Sequence, residues 1–152
     1  MNWALFFTYL AACGGAAATG AVFSPDQWYR DLNKPGWTPP DWVFPVTWTT
    51  LYICMSLAAM RVAPLEGSAL AMGFWAVQIT VNALWSPVFF GLKRIRQALI
   101  AVSALWVAVA ITMISFARLD WIAGLLFVPY LIWVSIATAL TASVLRRNPG
   151  QA

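Results

Sequence analysis

Residues 28–52 read WYRDLNKPGWTPPDWVFPVTWTTLY, and the change of character inside this stretch decides the fold. Its first half mixes Arg30, Asp31, Lys34 and Asp41 with Pro35, Pro39 and Pro40. That composition stiffens an exposed connection into turn and polyproline geometry and leaves few backbone donors for regular structure. From Trp42 the charges stop until Arg61. An uncharged apolar run of this length is what a helix needs to cross the hydrocarbon of a bilayer. Trp48 and Tyr52 lie four residues apart and so share one face of that helix. Whatever the loop covers, this face is expected to line.

The rest of the chain repeats the pattern. Hydrophobic residues make up 62% of the 152 and charged residues 9%, against roughly 25% charged in a soluble domain. The nine basic and five acidic residues all fall outside five uncharged runs, Met1 to Pro25, Trp42 to Met60, Gly67 to Leu92, Gln97 to Ala117 and Trp121 to Leu145. The expected fold is therefore an all-α integral membrane bundle of five transmembrane helices, with a structured loop between helices 1 and 2. It forms a single transmembrane domain over 1–152, with spans near 3–23, 42–61, 67–91, 97–117 and 121–145. The first run lacks the basic start of a secretory signal, and its apolar character continues through Val22 and Phe23, so it reads as a retained span.

Five spans place the two ends of the chain on opposite sides. The side with the first loop, third loop and C-terminus carries Arg30, Lys34, Lys93, Arg94, Arg96, Arg146 and Arg147, and the other side only Arg61 and Arg118. The positive-inside rule makes the first side cytoplasmic. The net charge of +4 follows from this asymmetry and suits anionic head groups of the lipid bilayer, so it carries no nucleic-acid signal. Cys13 and Cys54 sit in apolar runs without metal-ligand spacing and read as packing residues.

Within the spans, a few side chains stand out. Span one carries GGAAATG at Gly14 to Gly20, a row of small residues that reads as close helix packing. Span three opens with Gly67, Ala69, Ala71 and Gly73, whose small-xxx-small spacings 67/71 and 69/73 support helix contact within the subunit or across a homodimer. Deeper in that span, Gln78, Asn82, Trp85 and Phe89 form one stripe. Amides in a membrane are costly unless they face a partner or a cavity, so Asn82 is either a ligand contact or a helix-to-helix hydrogen bond. Pro87 should kink the span and free a carbonyl near Ala83. Trp106, near the middle of span four, reads as core filling. In span five, Pro129, Trp133, Ala137 and Thr141 recur every four residues. Trp133 is about 18 Å along the axis, too deep for an interfacial anchor. Small Ala137 one turn on leaves room for a flat guest beside the indole.

Other chemistries are missing. The chain has no histidine, so histidine ligation of haem iron or zinc is excluded; no metal site and no cofactor are expected. No carboxylate lies within a span, which removes the usual basis of proton-coupled transport. Neither a phosphate-binding loop nor a nucleophile with a base is present, and no catalytic residue is assigned. What remains is an aromatic, weakly polar interior under an aromatic loop, a site for a planar, largely apolar molecule.

The runs W-Y-x-x-L-N-K-P-x-W-x-P-P (Trp28 to Pro40), F-P-x-x-W-x-x-L-Y (Phe44 to Tyr52), Q-x-x-x-N-x-x-W-x-x-x-F-F (Gln78 to Phe90) and P-Y-L-x-W (Pro129 to Trp133) resemble the TspO/translocator protein family. These are the tryptophan-rich sensory proteins of bacteria and the peripheral benzodiazepine receptors of mitochondria. The resemblance implies a five-helix bundle, often a homodimer, in a bacterial cell envelope. It implies a receptor or carrier for tetrapyrroles such as protoporphyrin IX, with cholesterol and benzodiazepine-type drugs as ligands of animal members. It marks Trp48, Tyr52, Asn82, Trp85, Trp133 and Ala137 as pocket residues and Trp28 and Trp37 as part of the lid, with porphyrin propionates near Arg30 or Lys34. Two further readings stay open: an enzyme that degrades bound porphyrin by light-driven oxidation, and a regulatory membrane protein acting through a protein partner. Three positions depart from the family pattern. Gly36 replaces a bulkier residue before Trp37, Thr141 replaces an asparagine, and Leu140 to Arg147 lacks the aromatic residue of the sterol pattern.

Overall fold

Helix boundaries fall where charge, proline or a polar cap interrupts the apolar runs. The computed structural model describes residues 1–152. Helix α1 (Trp3–Val22) starts at Asn2, whose Oδ1 accepts from the Leu5 N–H at 3.2 Å. A short α2 (Gln27–Asp31) lies within the first loop, capped by Asp26. Helix α3 (Val43–Val62) carries Pro45 in its first turn, where a missing donor costs nothing. Helix α4 (Ala69–Ser86) runs into a π-helical turn over Pro87–Gly91, and α5 spans Ile95–Leu119. Then come α6 (Trp121–Leu126), α7 (Val128–Arg147) and a final 3₁₀ turn over Pro149–Gln151. Five stretches are long and apolar enough to cross a membrane, with α6 and α7 together forming the fifth.

Two expectations about the spans change in detail. The kink at Pro87 takes the form of a widened turn, in which Leu92 N donates to Pro87 O at 2.8 Å across five residues. Proline offers no N–H to the preceding turn, and the wider ladder absorbs the defect. The fifth span, expected as one helix over 121–145, is broken at Phe127. Pro129 sits in the first turn of α7 and removes the donor that would have continued α6.

Around the bundle α3 packs on α1, α1 on α4, α4 on α5, and α5 on both α6 and α7. The ring closes unevenly, because α3 packs well against α6 and far less against α7. At the α6 end, Arg61 Nε meets Asp120 Oδ2 at 2.7 Å, and Asp120 Oδ1 also accepts from Ile122 N and Ala123 N. Met55, Val62, Trp75, Val109, Phe116 and Phe127 pack there with almost no exposed surface, and Trp75 Nε1 donates to the Met55 carbonyl. Between α3 and α7, which hardly touch, a space remains.

The first loop sits over that space and is tied to the chain end. Asn33 N donates to Asn148 Oδ1 at 3.0 Å, and Asn148 Nδ2 returns a bond to Asn33 O at 2.9 Å. Trp28 Nε1 donates to Gln151 Oε1 at 2.6 Å. Lys93 pairs with Asp26 at 3.1 Å and lies over the Trp28 ring.

The small residues of span three do not act as one row. Gly67 is not helical: it takes φ +76° in the turn before α4, so 67/71 is not a helical pair. Ala71 is buried, while Ala69 and Gly73 point outward with nothing within 4 Å of a Cβ built on Gly73. Trp106 is not core filling either. It is 39% exposed and its Nε1 donates to Ser135 Oγ at 2.8 Å on the outer surface.

Candidate functional site

The space between α3 and α7 is a cavity of about 520 Å³, within the range of small-molecule sites. One wall is the first half of α3. Four-residue spacing stacks Trp48 on Tyr52, with ring centroids 5.6 Å apart and planes 27° apart. The opposite wall is α7, where Trp133, Ala137 and Thr141 follow one another every turn. Trp133, 9% exposed, is held edge-on by Phe44 at 5.5 Å, and Trp48 meets Tyr130 edge-on at 6.0 Å.

A third wall comes from α4 and its π turn. Trp85 stacks on Phe89 at 5.1 Å with planes 16° apart. Trp85 Nε1 is buried without a hydrogen-bond partner in the protein, a donor whose isolation costs about 1–3 kcal/mol. Asn82 belongs to both of its expected roles. It lines the cavity, and it joins three helices, accepting from Tyr52 Oη at 3.4 Å and donating to Tyr130 Oη at 2.7 Å. This bridge gives the cavity a polar floor.

The structure thus gathers six predicted pocket residues, Trp48, Tyr52, Asn82, Trp85, Trp133 and Ala137, around one void. It leaves the other four aside. Trp28 packs edge-on against Phe89 behind the cavity wall and bonds to the chain end. Trp37 is 54% exposed and Arg30 is exposed, and neither lines the cavity. Lys34 Nζ is held by the carbonyls of Tyr29, Arg30 and Leu32 at 2.7, 3.2 and 3.3 Å. Its charge staples the loop, so the expected propionate contacts at Arg30 and Lys34 find no support.

Sequence reasoning missed α1. Ala16, Ala17, Gly20 and Ala21 line the cavity, although the small row read as helix packing. A Cβ built on Gly20 would touch only Ser86 Oγ at 3.8 Å, and Gly14 and Gly15 have nothing within 4 Å. The signal was present in the residue sizes, but size alone does not say whether a helix or a void lies opposite. The roof is Phe23, Ser24, Pro25, Tyr29 and Asp41 from the loop. Burial pushes the Tyr29 phenol above its usual range, with the Asp41 carboxylate adding to the effect. At the loop's edge, the hydrogen bond from Lys93 and that from the Tyr29 N–H hold the Asp26 carboxyl below the usual carboxylate range.

The chain is similar to known proteins over nearly its whole length. The TspO/MBR family description matches residues 3–147. A tryptophan-rich sensory protein of Cereibacter sphaeroides is 59% identical over 148 residues, covering 97% of this chain and 94% of its own. Protein CrtK of Rhodobacter capsulatus is 52% identical, over 99% of this chain and 97% of its own. The translocator protein of Sus scrofa is 30% identical, over 97% and 91%.

Proposed function

We propose, from the premise that this chain belongs to the TspO/MBR family of multi-pass membrane proteins, that it is a receptor or carrier for tetrapyrroles such as protoporphyrin IX. The ligand lies within the membrane, between α3, α4 and α7, under the first loop. One observation carries the reading: a void of about 520 Å³ walled by Trp48, Tyr52, Trp85, Phe89 and Trp133. Flat aromatic walls around a void favour a flat aromatic guest, by stacking and by burial of apolar area. An acceptor on that guest would also satisfy Trp85 Nε1. The excess of Lys and Arg on the loop side orients the loop and C-terminus toward the cytoplasm.

Tryptophan fluorescence during titration with protoporphyrin IX tests the assignment. Native protein is expected to quench saturably. Trp48→Phe combined with Trp133→Phe should weaken binding about tenfold, since each aromatic pair is worth about 0.5–1.5 kcal/mol. Unchanged affinity in the double variant would reject the pocket.

A further inference from the structure

Beside the helix break at Phe127 lies another recess, on the outer surface and at the end of the bundle away from the first loop. It is a shallow groove of about 450 Å³ where α5 meets the junction of α6 and α7. Its floor is low because Gly124 brings α6 hard against α5: a Cβ built on Gly124 would sit 2.5 Å from the Ala117 Cβ. Met113 and Ile114 of α5 form one wall, and Leu125 and Val128, on either side of the break, form the other. The one charged residue of the groove is Arg118, in the last turn of α5. It stands where the apolar span gives way to head groups, a level that the exposed Trp121 indole also marks.

Nothing in the protein answers this cation. The two ion pairs of the chain are Arg61 with Asp120 and Lys93 with Asp26, and the arginine side chains that donate hydrogen bonds within the protein are Arg61 and Arg147. Asp120, the nearest acid in sequence, is taken by Arg61 Nε at 2.7 Å and by the Ile122 and Ala123 N–H groups. Glu66, the other acid of this end, makes no ion pair with Arg118. A groove that faces lipid is filled by an acyl chain as a matter of course. A free guanidinium at its head-group end decides which lipid supplies the chain, because the planar fork of donors matches a phosphate.

We propose that this groove is a binding site for an anionic phospholipid, with one acyl chain between the two apolar walls, the phosphate on Arg118 and the Trp121 indole beside it. The site is independent of the ligand assigned to the cavity. From Arg118 to Met113 the wall runs about 8 Å along α5, enough for the upper part of a chain. One net negative charge about 4 Å from the guanidinium in water favours the anionic lipid about fivefold over a zwitterionic one. Arg118 is exposed, so the preference falls as salt brings the screening length below about 8 Å.

The test uses the full chain in phosphatidylcholine nanodiscs that contain a minor share of phosphatidylglycerol. Either lipid, at equal amounts, carries a photoreactive diazirine in the upper half of one acyl chain, and adducts are mapped by mass spectrometry. In native protein phosphatidylglycerol should label Met113, Ile114, Leu125 and Val128 about fivefold more than phosphatidylcholine does. Arg118→Gln should bring that ratio close to one, and Arg118→Lys, which keeps the charge without the fork, should retain part of it. Helical circular dichroism and the thermal midpoint in pure phosphatidylcholine should be the same for all three proteins. Equal labelling by the two lipids in native protein, or a preference that Arg118→Gln leaves unchanged, would overturn the proposal. So would the absence of adducts on the groove walls, as when a second copy of the chain covers them.

Discussion

The two ends of the bundle are built on opposite principles. Where α3 meets α6, buried side chains interlock and Asp120 is shared by the Arg61 guanidinium and two backbone donors. Where α3 faces α7, comparable aromatic content surrounds a void, and an indole N–H is left without a partner. Composition does not separate the ends, since both are rich in large apolar groups. The break at Phe127 does. On its two sides, α6 packs against α3 while α7 does so far less, and the void lies between α3 and α7. A bundle clamped at one end can hold a cavity at the other without losing its packing.

Substitutions at glycine should separate the two ends most strongly. A Cβ on Gly124 would sit 2.5 Å from Ala117 Cβ and 2.8 Å from Ala117 Cα, which forces backbone to move. Gly124→Ala is expected to destabilise by about 2–3 kcal/mol, as overpacking does, seen as a lower thermal midpoint in detergent. Gly20→Leu is the counterpart at the open end. Its Cβ fits, so the added side chain enters the cavity; porphyrin affinity should drop about tenfold, or about 1.4 kcal/mol, with the midpoint kept. A lowered midpoint with Gly20→Leu and none with Gly124→Ala would erase the distinction between the ends.

Smaller effects sharpen it. Asp120→Ala removes a helix cap and the bond from Arg61; the cap alone is worth about 1 kcal/mol, and the partly exposed ion pair adds up to about 1 kcal/mol. Global stability should fall while porphyrin affinity barely moves. Asn148→Ala should do the reverse. Losing its exchange with Asn33 loosens the loop by about 0.5–1.5 kcal/mol, read as faster porphyrin dissociation at an unchanged midpoint. The smallest expected effect is that of pH. Partial burial raises the Asp120 carboxyl, but the bonds from Arg61, Ala123 and Ile122 outweigh it and hold the group below its usual range; Asp26 is lowered by Lys93 and Tyr29. A carboxyl depressed in the folded state contributes stability above its unfolded pKa of about 3.9 and loses it as pH falls through the folded value. With no histidine in the chain, thermal midpoints should be flat between about pH 5 and 8 and decline only below about pH 4. A transition near pH 6 would contradict these assignments.

Much of the molecule was legible before any coordinates. The five apolar runs carried the spans because a helix must hide every backbone polar group from lipid within its own length, which is a local requirement. The stripe Asn82–Trp85–Phe89 and the pairs Trp48–Tyr52 and Trp133–Ala137 were legible for the same reason: residues three or four apart share a helix face whatever surrounds it. The facing of those stripes was another matter. Gly20 and Ala17 look like packing residues until a void turns out to lie opposite, and Lys34 looks like a free cation until the loop folds three carbonyls around it. Helix, span and face follow from neighbours along the chain. Void and bridge depend on which distant groups arrive on the other side, and only the packing of α3 against α6 rather than α7 decided that.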